Sequence, residues 1–473
     1  MSVVDDQEAV GSAPDRRREQ RGWVWYDWAN SVFPTSVVTV FGSQYLVAVA
    51  AEAAKADPGR NGSNPCIGSD GQGSNLVNCQ IDAFGLTFQA GSLWGYLLAL
   101  TALLQLLIVP VIGAIADRTQ HKKRMLAIFA FGGAGFTALM SLVSGGNWEL
   151  GVLFFILGNI GYGTSVAIYY AFIPEISTAD ERDSLSTRGW AFGYLGGGVA
   201  LFIQLMIYQF RETLGLSVSN TAQIAFALSG LWWIGFTLIP LRRLRTHQRP
   251  HGDERGGSVL VGAFRELGQT FRAALAFPLT LGFLGIYLIY TDGITTVASV
   301  SAQYGREELR LDEDVLITTI LIVQFIAFIG GVLHGMVARR LGAKRTIMIS
   351  LTVWMLVIAA AYFVEAGQQL QFYGLAVGIG IVLGGTNALS RSLYSQLIPR
   401  GREAQYFSVY QIGERVGEIA GPVVFAAMAG ATGSYRPAII SLVIFFLVGL
   451  VLMSFFPVRK AIRAVGNSEP AVL

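Results

Sequence analysis

Long apolar runs alternate with short polar connections along almost the whole sequence. A helix needs about 20 residues to cross the ~30 Å hydrocarbon layer of a membrane. With 53% hydrophobic and only 14% charged residues, the composition is too apolar for a soluble protein of this length. We therefore expect an all-α polytopic membrane protein with twelve spans, numbered 1 to 12, at residues 22–50, 91–115, 125–144, 150–173, 184–209, 222–240, 277–301, 314–338, 346–364, 370–397, 403–430 and 436–456.

The second half of the sequence repeats features of the first. Glycines and basic residues that follow span 2 recur after span 8, and the glycines of span 5 recur in span 11. Repeats of this kind are typical of secondary transporters and predict two pseudo-symmetric six-helix bundles. The matched positions are Gly113 with Gly335, Lys122 with Lys344, Gly189, Gly193 and Gly197 with Gly413, Gly417 and Gly421, and Ile173-Pro174 with Ile398-Pro399, at offsets of 222 to 225 residues.

These patterns divide the chain into five parts: a polar tail at 1–21, a first bundle at 22–240 with an outer loop at 51–90, a linker at 241–276, a second bundle at 277–456 and a tail at 457–473. The first tail lacks the apolar core of a signal peptide. Most of the 34 Lys and Arg residues fall in segments on one side of the predicted spans. The positive-inside bias then places both termini in the cytoplasm of a multi-pass cell-membrane protein. Since the basic residues serve topology, no nucleic-acid partner is expected.

The linker has an apolar helical face formed by Phe264, Leu267, Phe271 and Leu275. This spacing favours an amphipathic helix that lies on the membrane lipids of the inner leaflet. A solvated flexible linker is the alternative interpretation.

The two cysteines, Cys66 and Cys79, both lie in the outer loop. An oxidising compartment permits a disulfide between them, and two free thiols are the alternative. The histidines are scattered, so no metal site is expected, and His334 near the end of span 8 is interpreted as a packing residue. The sequence has no phosphate-binding loop and no extramembrane segment long enough for an enzyme domain. We expect neither an enzyme nor a cofactor.

Several ionisable residues fall inside predicted spans, where each costs roughly 2.5 to 3.5 kcal/mol and is a functional candidate by default. They are Asp292 in span 7, Arg391 in span 10, and Glu414, Arg415 and Glu418 in span 11. One interpretation is that an acid takes up and releases a proton, because burial raises a carboxyl pKa. The other is that the acids and Arg391 form fixed ion pairs, with Arg391 bound to Glu414 or Glu418.

Asp27 and Arg188 lie nearer the predicted cytoplasmic surface, where a pair joining them would act as an inner gate. Uncharged polar residues at depth suggest a central pathway, although some of them will only bond neighbouring helices. The strongest of these candidates are Asn30, Asn159, Tyr290 and Asn387.

The stretch after span 2, with Gly113, Asp117, Arg118, Lys122 and Lys123, resembles the conserved loop between helices 2 and 3 of the major facilitator superfamily. The sequence departs from that pattern at Gln120, and its second copy has Arg339 in place of the acid. The resemblance therefore implies a charge-based latch in the first copy alone.

Four further motifs resemble the branch that contains the yeast autophagy-related vacuolar amino-acid effluxer and its bacterial relatives. They are Trp25-Tyr26-Asp27-Trp28-Ala29-Asn30-Ser31, the run from Arg188 to Gly198, Asp292-Gly293, and the run from Gly385 to Ser392. Amino-acid efflux is what this resemblance implies.

The expected function is that of a monomeric secondary active transporter, which moves a small solute by alternating access and couples transport to protons. Asp117 is expected to stabilise the outward-open state, either by pairing with Arg118 or by capping the N-terminus of span 11. Export of drugs or amphipathic compounds is an alternative within the same class. A non-transporting membrane receptor or scaffold is the alternative from another class.

Overall fold

The computed structural model describes residues 13–55, 79–83, 85–119, 121–245, 277–417 and 420–472. In these residues, eleven helices are long and apolar enough to cross a membrane, and they correspond to spans 1 to 10 and 12. Predicted span 11 is covered by two helices, Glu403–Gly417 and Ala420–Thr432. Residues 418 and 419 between these helices are not described. The predicted linker helix and Cys66 also lie outside the described residues.

The remaining spans have these bounds: span 1 is Ala13–Asn30, a π-helical stretch Phe33–Phe41 and Gly42–Lys55; span 2 Leu93–Thr119; span 3 Lys122–Leu139; span 4 Trp148–Tyr170; span 5 Arg182–Gln209; span 6 Val218–Arg243; span 7 Pro278–Gln303; span 8 Glu313–Leu341; span 9 Ala343–Tyr362; span 10 Gln369–Gln396; span 12 Tyr435–Ser441 and Val443–Phe455. In the outer loop, strands Gln80–Ala83 and Leu86–Gln89 form an antiparallel hairpin. The end of the chain carries a short tail helix, Val458–Ala464.

The first helix begins at Ala13, before the expected start of span 1 at residue 22. Contacts to the loop between spans 4 and 5 hold this extension in place. The Arg16 guanidinium donates to the Glu181 carboxylate at 2.9 Å, and the Gln20 amide donates to the Ile176 carbonyl at 2.9 Å. A segment that is polar in sequence is therefore helical because tertiary contacts stabilise it.

Both ends of the described chain lie on one side of the molecule, which we call the terminal side. Near the start, Asp15 pairs with Arg245, which follows span 6, at 2.7 Å. Near the end, the Ala471 N–H donates to Asp180, in the loop between spans 4 and 5, at 2.6 Å. The start of span 1, the loop after span 4 and the tail thus share the terminal side.

The glycine stripe of span 5 brings that helix against span 1, as its spacing predicts. A Cβ atom at any of these glycines would collide with a polar side chain of span 1. An added Cβ would lie 2.4 Å from Asp27 Oδ2 at Gly189, 2.7 Å from Ser31 Oγ at Gly193, and 2.7 Å from Thr35 Oγ1 at Gly197. The stripe therefore packs within the first half.

The two halves meet chiefly along span 5 against spans 8 and 10, and along spans 2 and 4 against span 11. Glycines of span 8 allow its close contact with span 5. An added Cβ at Gly331 would lie 3.0 Å from the Ala191 Cβ, and one at Gly335 would lie 2.5 Å from Thr187 Oγ1. Elsewhere, large apolar side chains stay exposed on the outer surfaces of the helices, among them Ile128 and Phe455.

Candidate gate and transport site

A buried arginine joins the two halves near the terminal side. Arg391 in span 10 has no exposed surface. Its Nη1 lies 3.4 Å from Asp27 Oδ2 in span 1. Its Nε donates to Ser186 Oγ at 2.8 Å, and its Nη2 donates to the Ser186 carbonyl at 2.9 Å. The guanidinium is therefore held by two helices of the first half.

Aromatic rings surround this ion pair. The guanidinium carbon lies 5.0 Å from the ring centroid of Trp23 and 4.5 Å from that of Tyr170, distances at which ring faces attract a cation. The Tyr169 hydroxyl donates to Asp27 Oδ2 at 2.8 Å. Burying a charge pair costs hydration free energy, and additional hydrogen bonds are needed to offset that cost. Here the hydrogen bonds and the aromatic rings around the pair supply this compensation.

Two predicted pairings are wrong. Arg391 is paired with Asp27 and not with Glu414, whose carboxylate accepts from Tyr287 and Gln411. The other predicted partner, Glu418, lies outside the described residues. Arg188 has an exposed side chain, so it does not pair with the buried Asp27. The reason is the orientation of span 5 about its axis. Its face with Ser186 and Gly189 packs against span 1 and Arg391, so Arg188 lies on the opposite, exposed face. The charge pair that the structure forms with Asp27 therefore has Arg391, and not Arg188, as its partner.

Asp117, at the end of span 2, caps the first helix of span 11. Its two carboxylate oxygens accept from the backbone N–H groups of Ala404 at 3.1 Å and Gln405 at 2.9 Å. An anion at a helix N-terminus is stabilised by the unpaired N–H groups there. Of the two contacts predicted for Asp117, the structure has the cap. The side chain of Arg118 lies outside the described residues.

Lys122 binds three carboxylates at this position. Its Nζ lies 2.9 Å from Asp117, 2.8 Å from Glu175 and 3.4 Å from Glu403. All four side chains are largely shielded from water, whereas Lys123 is half-buried. Glu175 and Glu403 are not among the residues predicted from the sequence. The signal that could have found Glu175 is its position directly after Ile173-Pro174, a pair that recurs in the second half.

Other short contacts tie the halves together around these two clusters. A Cβ at Gly113 in span 2 would lie 2.2 Å from Ser408 Oγ in span 11, so only glycine permits this approach. Ser186 Oγ donates to the Ala388 carbonyl at 2.6 Å, and Arg182 donates to the Ser395 carbonyl at 3.0 Å. These contacts close the interface between the halves on the terminal side.

Glu414 lies deeper in span 11, where its carboxylate is partly exposed. Tyr287 of span 7 donates to one carboxylate oxygen, and the Gln411 amide donates to the other at 2.9 Å. One helical turn away, the ring of Tyr410 stacks on Tyr287 at 4.6 Å and meets Tyr170 of the first half at 6.3 Å. Glu414 therefore lies at a boundary between the halves that is lined by aromatic rings.

Asp292 has its contacts inside the second half. Its Oδ2 accepts from the Gly421 N–H at 2.8 Å, at the start of helix Ala420–Thr432, and its Oδ1 accepts from Thr296 at 3.4 Å. This is a cap of the kind that Asp117 makes for the helix before it. The side chains of Arg415 and Glu418 lie outside the described residues.

The uncharged candidates divide into two groups. Some are bonded within one half: the Gln105 amide donates to the Asn159 carbonyl at 2.8 Å, and the Tyr290 and Ser390 hydroxyls lie 2.5 Å apart. Others are buried with an unsatisfied atom within the described part of the chain, namely Asn30 through Nδ2 and Asn387 through Oδ1. Unsatisfied buried groups are costly, so these two are candidates for binding a solute or water.

The remaining candidates have structural surroundings. His334 is buried between the Gly330 carbonyl at 2.8 Å and Ser350 Oγ at 2.7 Å, which agrees with a packing role. Cys79 is buried and is not a free thiol, but its predicted bridge to Cys66 stays a prediction. Among the described residues, no cluster of His, Cys, Asp or Glu could hold a metal ion.

Comparison with known structures shows the fold. FucP, a major facilitator superfamily transporter in the outward conformation, superposes with a TM-score of 0.61 over 93% of this chain and 98% of its own, at 14% identity. The proton:xylose symporter XylE gives a TM-score of 0.61 over 94% and 97%, at 13% identity. The architecture is thus the predicted one, with two six-helix bundles.

Sequence comparison shows the family. Residues 15–466 match the family described as "Vacuole effluxer Atg22 like". The "uncharacterized MFS-type transporter YxiO" of Bacillus subtilis is 27% identical over 93% of this chain and 95% of its own. "Autophagy-related protein 22-1" of Penicillium rubens is 26% identical over 98% and 94%. The chain therefore belongs to the Atg22-like family and is a multi-pass transporter of the major facilitator superfamily, as its motifs predicted.

Proposed function

We propose that this transporter is a secondary active effluxer that works by alternating access, with the terminal side facing the cytoplasm. The observation that carries the proposal is the Asp27–Arg391 pair, because it joins the halves and both its side chains are buried. In the conformation described here, this pair and the Asp117 cap close the terminal side. Opening that side requires both contacts to break, so they serve as the gate.

The substrate class proposed first is amino acids, as the motif resemblance implies. The family to which the chain belongs takes its name from a vacuole effluxer. The partly exposed Glu414 and the buried Asn30 and Asn387 supply polar groups that suit a small polar solute. Glu414 is also the proposed proton carrier, since it lies at the boundary between the halves, whereas Asp292, the other acid described inside a span of the second half, is bonded within that half. We propose that a single chain carries out the cycle.

The gate can be tested by locking it. Ser408 Oγ lies 3.1 Å from the Val109 backbone carbonyl across the halves, so these two residues are neighbours. Val109→Cys with Ser408→Cys places one thiol in each half, and a short bifunctional methanethiosulfonate reagent can join them through disulfides that reduction reverses. Cross-linking this pair should stop solute counterflow in proteoliposomes, and reduction should restore it. The wild type and the Val109→Cys single variant receive the same reagents as controls. Undiminished counterflow by the cross-linked protein would contradict the proposed gate. No counterflow by the wild type with any of the screened solutes would favour the non-transporting receptor or scaffold.

The substrate is tested by a thermal-shift screen of the purified protein against amino acids, peptides, sugars and amphipathic drugs. A ligand that binds the folded state alone raises the apparent melting temperature. Stabilisation by amino acids, followed by their counterflow in proteoliposomes, would support the proposed class. Stabilisation by the drugs alone would replace it with drug export.

A further inference from the structure

A basic cavity lies on the terminal side, away from the gate. It has a volume of about 900 Å³ and opens between the start of span 9 and the tail helix. Five cationic side chains line it: Lys344, Arg345, Arg459, Lys460 and Arg463. Apolar surface from Met348 and Phe456 completes the lining. A cavity of this size can hold the headgroup of a phospholipid.

Lys344 is held in position by the end of span 12. Its Nζ donates to the carbonyls of Ser454 and Phe456, at 2.9 Å each. Arg345 lies in the first turn of span 9, where the helix dipole adds positive potential. The cavity therefore has two fixed sources of positive charge at the junction of two spans.

The positive charge is only partly neutralised by the protein. Glu469 pairs with Arg463 and lies 3.9 Å from Arg459. For Lys344, Arg345 and Lys460, the described residues contain no carboxylate within 4 Å, the limit for an ion pair. Three cations are thus left to attract an external anion.

The cavity also adjoins exposed apolar surface. Phe455, between the lining residues Ser454 and Phe456, is 82% exposed, and Ile349, next to Met348, is 48% exposed. Exposed apolar side chains at the end of a span are suited to acyl chains, whereas a soluble anion gains nothing from them. We propose that this cavity binds the anionic headgroup of a phospholipid from the leaflet on the terminal side, while the acyl chains lie against spans 9 and 12.

The proposal can be tested with the full-length protein in detergent by native mass spectrometry. Phosphatidylglycerol should bind in preference to phosphatidylcholine. Neutralising Arg345 and Lys460 together, as Arg345→Gln with Lys460→Gln, should weaken phosphatidylglycerol binding about fivefold per charge, which corresponds to about 1 kcal/mol each. The matched control, Arg339→Gln with Arg340→Gln, removes two exposed charges from the end of span 8 and should leave this binding within about twofold of the wild type.

Three outcomes would overturn the proposal. The first is equal binding of the two lipids, and the second is an equal loss in both double variants, which would mean diffuse attraction without a site. The third comes from a parallel thermal-shift titration: stabilisation by inorganic phosphate that phosphatidylglycerol does not exceed would assign the cavity to a soluble anion. Melting temperatures measured without lipid verify that both variants are folded.

Discussion

The Arg391 guanidinium in span 10 lies 3.4 Å from the Asp27 carboxylate in span 1, and this ion pair bridges the halves with both side chains largely buried. Removing one partner of a buried pair leaves the other charge uncompensated, at a cost of about 3 to 5 kcal/mol. In the proposed cycle the pair exists only while the terminal side is closed, so this cost falls on the closed state. The contact can therefore control the conformational equilibrium.

We predict that Asp27→Asn destabilises the closed terminal side. Cysteines at positions 109 and 408 should then cross-link severalfold more slowly than the same cysteine pair in a protein that keeps Asp27, since the halves separate more often. Arg188→Gln is the matched control, because Arg188 lies on the same helix as Ser186 but is exposed, and its cross-linking should be normal. A double-mutant cycle with Arg391→Gln should show strong non-additivity, and strictly additive effects would mean that the two residues act independently.

For the latch, Asp117→Asn should slow transport without abolishing expression. The variant loses the charge that interacts with Lys122 and with the N-terminus of helix Glu403–Gly417, a contribution of about 1 kcal/mol for the helix terminus alone. The measurement is initial flux in proteoliposomes, normalised to reconstituted protein. Glu149→Gln, an exposed acid at the start of span 4, serves as the control. Undiminished flux in Asp117→Asn would remove the latch.

Glu414 and Asp292 are predicted to differ in their response to neutralisation. Glu414→Gln should uncouple flux from an imposed pH gradient, because it removes the proposed proton carrier. Asp292→Asn should retain the pH response, because an amide oxygen can still cap the Gly421 N–H, while Asp292→Ala should lower stability by about 1 to 3 kcal/mol. If Asp292→Asn abolished the pH response and Glu414→Gln did not, the two roles would be reversed.

Acid is predicted to release the start of span 1 from the loop after span 4. Partial burial raises the pKa of Glu181, but hydrogen bonds from Arg16, the Thr178 N–H and Gln20 outweigh it, so the pKa is lowered from its usual 4.5. A lowered folded-state pKa means that the stabilisation is complete above about pH 4.5 and is lost as the pH falls through the folded-state value. Acidification should therefore lower the protection factors of residues 13–22 in hydrogen–deuterium exchange, after correction for the slower intrinsic exchange of amides in acid.

The Glu181→Gln variant provides the control for this effect. It should show lowered protection factors in residues 13–22 already at neutral pH, with little further change in acid. The same acid-induced increase in the variant and the wild type would assign the effect to another group.

Local sequence was sufficient to determine the helical membrane fold, because a run of about 20 apolar residues has few alternatives to spanning the bilayer. It also indicated that a glycine stripe in span 5 permits close packing, and one contiguous motif pointed to Asp117, whose predicted cap on span 11 the structure has. The family followed from motifs of the same kind, such as Trp25 to Ser31.

Only the tertiary structure decided which charges meet. Asp27 and Arg391 are 364 positions apart, and their contact depends on the rotation of spans 1, 5 and 10 about their axes. Apolar periodicity leaves that rotation undetermined for helices whose faces are nearly all apolar, so Arg188 and Arg391 were equally available as partners from sequence alone. Packing selected Arg391, because Gly189 lets Asp27 approach span 5 while Ser186 and the rings of Trp23 and Tyr170 hold the guanidinium in place.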